Sequence, residues 1–140
     1  MLVVFVTSVI HLIGDLHQPL HVGRLEDRGG NSVKVKWFGA SSNLHRVWDE
    51  GLIEFQQLSY TEYARAINFS SKEQRENLNT KTLAAWVFAS YQVASGIYAD
   101  ITEPDQKLNY AYNYKYLAVI NNQLLEGGIH LANLLNEIFG

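Results

Sequence analysis

The sequence predicts an all-α helical bundle with one small β-hairpin, and three observations lead to this fold class. The length of 140 residues suits a single domain. Apolar residues recur at helical spacing in most of the longer segments, whereas one stretch, Ser32–Phe38, alternates apolar and polar side chains as a strand does. With 47% apolar and 18% charged residues, the composition is that of a folded protein. We therefore expect residues 1–140 to form one domain.

The first segment, residues 2–16, is predicted to be a buried helix. The run is longer than a typical strand, and its apolar residues stand at helical spacing: Val6, Val9, Ile10 and Ile13. The apolar stretch is too short to cross a bilayer, and it has no basic region or cleavage site of a signal peptide. The helix should end at Gln18, because the residue before Pro19 is disfavoured in the helical conformation.

A turn-rich segment, Gly23–Asn31, leads into the predicted strand, which we expect to form a hairpin. A helical pattern resumes after Asn43, whose side chain is placed to cap the new helix. One face of that helix is apolar and is expected to be buried: Leu44, Val47, Trp48, Leu52 and Phe55.

Three more helices are predicted in the remainder of the chain. Ser71 is expected to cap a short polar helix, and Thr80 to open a long one that Pro104 stops. The last helix should run from Tyr110 to Phe139, with an interruption or easing at Gly127–Gly128.

Charge and cysteine content exclude several classes of function. Eleven basic and fourteen acidic residues give a net charge of -3, so the protein has no overall basic field for nucleic acid. The absence of cysteine excludes thiolate metal sites, disulfides and thiol catalysis. Residues 24–46 are locally basic, with five Lys and Arg against two acidic residues. This stretch is a candidate phosphate-binding surface, and Trp37 or Phe38 is a candidate for stacking a base, although strand alternation turns one of the two inward.

Histidines cluster near the start of the chain, since four of the five fall in the first 45 residues. His11 and Asp15 are four residues apart, as are His45 and Asp49, and this spacing puts each pair on one helix face. One such pair is more often an ordinary hydrogen-bonded pair. Two pairs with His21 between them predict a metal site, and imidazole and carboxylate ligands without cysteine suit zinc.

The two remaining histidines are expected to have supporting roles. His17 lies beside Gln18-Pro19, where it either forms a turn hydrogen bond or supports a metal ligand. His130 stands alone on the last helix and is predicted to be a structural residue with satisfied hydrogen bonds.

At these positions the sequence resembles the zinc-dependent single-strand-specific nucleases of class I, the S1/P1 type. Three motifs in order carry the resemblance: His11-x-x-Gly14-Asp15-x-His17-Gln-Pro-Leu-His21, then Gly29-Gly30-Asn31, then Asn43-Leu-His45-x-x-Trp48-Asp49. The resemblance implies a mostly helical enzyme with three clustered zinc ions. Such an enzyme hydrolyses single-stranded DNA and RNA to 5′-nucleotides, with metal-activated water attacking phosphorus, and removes 3′-phosphate from nucleotides. It also implies a secreted or periplasmic location.

The resemblance assigns roles to individual residues. His11 resembles a ligand of a first, more buried zinc, and Asp15 resembles the catalytic carboxylate that bridges this zinc to a partner ion. Asn31 resembles the substrate-binding amide near the scissile phosphate. A complete protein ligand set for the remaining zinc is implied at three residues: His21, His45 and Asp49.

The other ligands of the family lie upstream, so the resemblance implies that residues 1–140 are roughly the C-terminal half of a longer nuclease domain. We then expect one complete zinc site and two incomplete ones. The expected partners are single-stranded nucleic acid, 3′-nucleotides, and either the N-terminal half or a second copy bound at the apolar surface of residues 1–10. No membrane span is expected.

Two alternatives remain open. One is a non-catalytic, zinc-binding module that is structural or self-associating. The other is a zinc phospholipase C, a relative with a similar metal arrangement. In phospholipases the last ligand tends to be glutamate where this chain has Asp49, which favours the nuclease.

Overall fold

Helices make up most of the computed structural model, which describes residues 2–140. Their bounds are α1 Leu2–His17, α2 Leu44–Arg46, α3 Leu52–Glu54, α4 Tyr60–Ile67, α5 Lys72–Asn79, α6 Leu83–Ala99 and α7 Tyr110–Phe139. A 3-10 helix at Pro19–Val22 follows α1, and a π-helical turn at Val47–Gly51 joins α2 to α3. The predicted fold class is confirmed, although the sequence patterns did not single out α4 or the π-helical turn.

A small sheet holds three strands, β1 Lys34–Trp37, β2 Ala40–Asn43 and β3 Gln106–Leu108, in the order β2-β1-β3. Strands β1 and β2 form the predicted antiparallel hairpin. Strand β3 pairs with β1 in parallel and was not predicted, because a three-residue strand has too short a pattern to recognise.

The core lies between the hairpin, the α2–α3 segment and the helices α6 and α7. Trp48 is fully buried at its centre, where its Nε1 donates to the Tyr112 hydroxyl at 2.9 Å and its ring meets Tyr116 edge-on. The predicted apolar face is buried at Leu44, Val47, Trp48 and Leu52. Because Asp49 directly follows Trp48, the core fixes the position of that carboxylate.

Helix α1 ends at His17, as predicted, but the prediction of a buried helix is wrong for its first turns. Val3 is 77% exposed and Val4 69% exposed, whereas Ile13 and His17 are buried. The described residues of α6 and α7 pack on one face of α1 near its C-terminal end and leave the rest uncovered. Met1 lies outside the described residues. Within residues 2–140, no helix combines the length and the hydropathy needed to cross a bilayer.

Two predicted helix boundaries are corrected by the structure. Helix α6 is capped by Thr82, whose hydroxyl accepts from the Ala85 amide at 3.3 Å, while Thr80 terminates α5. The predicted interruption at Gly127–Gly128 is absent from the described α7, which runs unbroken through both glycines. A Cβ on Gly127 would lie 3.2 Å from His17 Cγ, so this glycine lets α1 approach α7 closely. The predicted Ser71 cap of α5 is confirmed.

Two buried histidines join α1 to α7. His17 Nδ1 lies 2.8 Å from the Ile13 carbonyl oxygen, and His17 Nε2 lies 2.8 Å from His130 Nδ1. The His130 ring stacks on Trp86 with 4.0 Å between ring centroids. His130 is thus a structural residue, as predicted, but its hydrogen bonds are not all satisfied, because its Nε2 has no partner within residues 2–140.

Stability should fall in mild acid because of His130. Burial, followed by electrostatic interaction with His17 and Lys81, lowers the pKa of His130 from 6.5 to about 4. Between these values the unfolded state binds the proton and the folded state does not, so the free energy of unfolding decreases as pH falls from 6.5 to 4, by up to about 3 kcal/mol. Urea unfolding across this range measures the slope. The His130→Gln variant should show a shallower slope, and equal slopes in the two proteins would contradict this account.

Candidate metal centre

Three segments place their side chains at the same point on the surface. The 3-10 helix begins at Pro19, whose fixed φ suits a first helical position, and Leu20 anchors it in the core. His21, the residue after the buried Leu20, is therefore held at the protein surface. Asn43 caps α2 by accepting from the Arg46 amide at 2.8 Å, and α2 carries His45. The π-helical turn that follows α2 carries Asp49.

His21, His45 and Asp49 form a compact group. Asp49 Oδ2 lies 3.0 Å from His45 Nε2, and Asp49 Oδ1 lies 3.2 Å from His21 Nε2. The two imidazole rings are stacked, with centroids 5.0 Å apart. One potential ligand atom from each residue lies within 4.8 Å of the others, and among residues 2–140 this is the one group of three or more such side chains.

The outer nitrogen of each imidazole has its own partner. His45 Nδ1 donates to the Gly29 carbonyl oxygen at 2.7 Å, and in the neutral imidazole this tautomer leaves the lone pair of Nε2 for a metal. His21 Nδ1 lies 3.1 Å from Asp15 Oδ1. Metal-binding histidines usually have this kind of outer hydrogen bond, which fixes their tautomer and orientation.

This set of donors fits zinc. Two imidazole nitrogens and one carboxylate are borderline-to-hard ligands, and three protein ligands would leave a bound zinc one position for water or substrate. The three side chains are partly exposed, so water and a ligand have access to that position. The group therefore has the composition of a catalytic zinc site rather than a closed structural one.

Comparison with known proteins identifies the family of the chain. Residues 3–140 match the S1/P1 nuclease family. The chain belongs to that family. Endonuclease 2 of Arabidopsis thaliana is 33% identical over 149 aligned residues, which cover 94% of this chain and 50% of that protein. Nuclease P1 of Penicillium citrinum is 28% identical over 155 residues, covering 94% and 56%.

Nuclease S1 of Aspergillus oryzae is 50% identical over a shorter stretch of 46 residues, 33% of this chain and 16% of that protein. The chain spans about half the length of the first two relatives, so their names describe proteins longer than this chain.

Of the other predicted site residues of this S1/P1 family member, Asp15 contacts the group, His11 contacts Asp15, and Asn31 lies apart. Asp15 contacts His21 through Oδ1 and His11 through Oδ2, the latter at 3.2 Å. The His11 side chain is 74% exposed, and within residues 2–140 it joins the site through Asp15 alone. Asn31 is exposed and outside the group, with its amide donating to the Arg28 carbonyl oxygen at 2.9 Å.

Gln18 is a site residue that the sequence reasoning missed. Its amide nitrogen donates to Asp49 Oδ1 at 2.6 Å, and its oxygen accepts from the Leu20 amide. The side chain thus connects the start of the 3-10 helix to the Asp49 carboxylate. The sequence signal was the Gln-Pro pair, which indicated a helix end but not the direction of the amide.

Gly29 and Gly30 help to position the His45 ring, because the Gly29 carbonyl oxygen accepts from His45 Nδ1. Gly29 and Gly30 adopt φ of +65° and +84°, conformations that other residues rarely take. A Cβ on Gly29 would lie 2.4 Å from the Leu20 carbonyl oxygen, which is too close for any side chain. Only glycine therefore allows the loop to pass so close to the 3-10 helix. This close approach brings the Gly29 carbonyl to His45.

Two cavities meet at the metal centre. A cavity of about 400 Å³ is mainly apolar, and its wall includes Ile10, Ile13 and Leu131 as well as Asp15, His21 and Asp49. A second cavity of about 560 Å³ shares Asp15 and His21, and adds His45. Both volumes are in the range of small-molecule sites.

Trp37 and Phe38, the candidates for base stacking, belong to an aromatic cluster. Trp37 is half-buried, while Phe38 is partly exposed and stacks on Phe55 with centroids 4.9 Å apart. Tyr110 and Phe38 form a T-shaped pair with ring centroids 4.8 Å apart. One face of the Phe38 ring is thus used within the protein, and its contact with a base stays a prediction.

Proposed function

We propose that the protein containing this chain is a zinc-dependent phosphodiesterase that hydrolyses single-stranded DNA and RNA to 5′-nucleotides and removes 3′-phosphate from nucleotides. The observation that carries the proposal is the group formed by His21, His45 and Asp49, whose three side chains would leave a bound zinc one position for water or substrate. Membership of the S1/P1 nuclease family supports the same reaction class. In this proposal zinc is bound by these three residues.

Each residue of the centre has a defined task in this proposal. Zinc, when bound, supplies Lewis-acid activation of water near neutral pH and offsets charge on the phosphoryl group. The Gly29 carbonyl holds the His45 tautomer, and the Gln18 amide holds the Asp49 carboxylate. Asn31 is proposed to donate its amide to a phosphate oxygen.

Asp15 is proposed to act as the catalytic carboxylate of a second, paired metal site. Its two oxygens face different imidazoles, Oδ1 toward His21 and Oδ2 toward His11, so it links the complete ligand group to a second pair of ligands. His11 and Asp15 are two donors, and we propose that further donors outside this pair complete the three-zinc arrangement. Residues 1–140 would then be part of a larger nuclease domain.

A non-catalytic role is the second candidate. The exposed apolar side chains of α1, including Val3, Val4 and Phe5, favour association with another protein surface. In that case the group of His21, His45 and Asp49 would bind zinc for a structural purpose and would not catalyse a reaction. The phospholipase alternative is not favoured, since the family match and Asp49 both point to the nuclease. Export to the periplasm or the medium stays a prediction from resemblance.

A hydrolysis assay separates these candidates. The zinc-loaded protein should cleave a single-stranded DNA oligonucleotide near neutral pH, lose the activity with a chelator and regain it with zinc, while the same sequence as a duplex should react much more slowly. Residues 1–140 by themselves should be far weaker than a protein that supplies the additional donors. No cleavage by the protein with all its zinc bound would reject the nuclease, and a zinc-independent oligomer would favour the second candidate.

A further inference from the structure

The second cavity is lined by two arginines as well as by candidate metal ligands. Asp15, His21 and His45 line this cavity of about 560 Å³, and Arg24 and Arg28 line it too. A ligand that binds the His and Asp group from within this cavity therefore shares the cavity with both arginines. Arginine is the side chain best suited to phosphate, because its planar fork donates two parallel hydrogen bonds.

The fold holds Arg24 in place without neutralising it. Its guanidinium lies over the Tyr98 ring, 4.3 Å from the centroid, and its backbone amide donates to the Tyr98 hydroxyl. That hydroxyl donates to Asp27 Oδ1 at 2.9 Å, and the same oxygen accepts from the Gly30 amide at 2.7 Å. Burial, chiefly, and the bond to Asp27 raise the pKa of Tyr98 to about 12, so the hydroxyl keeps its proton. The ring is thus a fixed platform for the arginine.

Neither Arg24 nor Arg28 is neutralised by an ion pair within residues 2–140. Arg46 forms an ion pair with Glu50 at 3.0 Å, but no ion pair involves Arg24 or Arg28 among residues 2–140. The nearby acid Asp27 is engaged by the Gly30 amide and Tyr98. Two exposed guanidinium groups at one cavity therefore have donors available for an anionic ligand.

We propose that Arg24 and Arg28 bind a backbone phosphate adjacent to the one being cleaved, and so favour a polynucleotide over a mononucleotide as substrate. This inference rests on the proposed function. The scissile phosphate must contact the metal group, which leaves the arginines for a second phosphate. A 3′-mononucleotide has a single phosphate and cannot reach the arginines in this way.

Binding of a hydrolysis-resistant phosphorothioate oligo-dT, measured by fluorescence anisotropy with zinc present, tests the arginines independently of turnover. The Arg24→Gln/Arg28→Gln double variant should bind about 10-fold or more weaker, in keeping with the loss of charge-assisted hydrogen bonds. The salt dependence should also weaken, with the slope of log K against log salt smaller by about 0.7 for each phosphate that the variant no longer neutralises. The control is Arg65→Gln, which removes the same charge from an exposed position on α4 and should match the wild type.

Turnover supplies the second readout. The ratio of kcat/KM for single-stranded oligo-dT to that for a 3′-mononucleotide should fall about 10-fold or more in the double variant and stay constant in Arg65→Gln. Equal zinc content in all three proteins excludes damage to the metal site. Unchanged oligonucleotide binding, or an equal loss on both substrates, would overturn the proposal. If the wild type cleaves neither substrate, the proposed function fails, whereas the binding measurement still decides whether the arginines hold a phosphate.

Discussion

Asp15→Asn is expected to abolish hydrolysis of single-stranded DNA, with a loss of about 10³-fold or more. The change keeps the shape of the side chain but removes the negative charge that faces both His11 and His21, and electrostatic support of this kind contributes several kcal/mol at metal-assisted phosphoryl transfer. The second zinc site, at His11 and Asp15, should lose its zinc. The group formed by His21, His45 and Asp49 should keep its zinc. Rate and zinc content of the purified variant measure both effects.

A control for the charge change is Glu50→Gln. Glu50 adjoins Asp49 in sequence and pairs with Arg46 at the surface, so its loss should leave zinc content and rate near wild type. If Asp15 were only a hydrogen-bond acceptor near the end of α1, Asp15→Asn would lower stability but keep activity and all zinc. Retained activity would therefore refute the catalytic role.

Gly29→Ala is expected to destabilise the protein strongly and to weaken zinc binding. The new Cβ would meet the Leu20 carbonyl oxygen at 2.4 Å, and the residue would keep a φ of +65° that alanine disfavours. We expect about 3 kcal/mol or more of lost stability, from the left-handed backbone and from the displaced loop. Because the Gly29 carbonyl holds His45, zinc affinity should fall about 10-fold or more.

Gly39→Ala is the matched control for this change. Gly39 has a similar φ of +87°, but a Cβ there has no other atom within 4 Å. Its cost should be the backbone strain alone, about 1 to 2 kcal/mol, with zinc affinity preserved. Denaturant unfolding and zinc titration of the two variants provide the comparison. Equal effects of the two changes would show that contact with Leu20 does not position the loop.

The sequence predicted those parts of the fold that depend on local pattern. The Gln18–Pro19 helix end, the Asn43 cap and the hairpin each follow from a few neighbouring residues, and all three are confirmed. The His and Asp spacing likewise predicted which side chains come together at His45 and Asp49.

Features that depend on distant contacts were not predictable in this way. The pairing of β3 with β1 joins segments about 70 residues apart, and no local periodicity indicates it. Gly127 suggested a break in α7, but its role is to admit the ring of His17 from another helix. The exposure of α1 also escaped the sequence, because an apolar run predicts burial without saying what covers it.

Zinc content per chain tests the central claim most directly. Elemental analysis of the wild type should find at least one zinc, and His45→Ala should lose one, because it removes one of the three proposed zinc ligands. His11→Ala should keep the zinc of the three-residue group. A thermal shift should accompany the loss, since ligand at 100 times its Kd stabilises the fold by about 2.7 kcal/mol. Wild-type zinc content in His45→Ala would contradict the assignment of this metal centre.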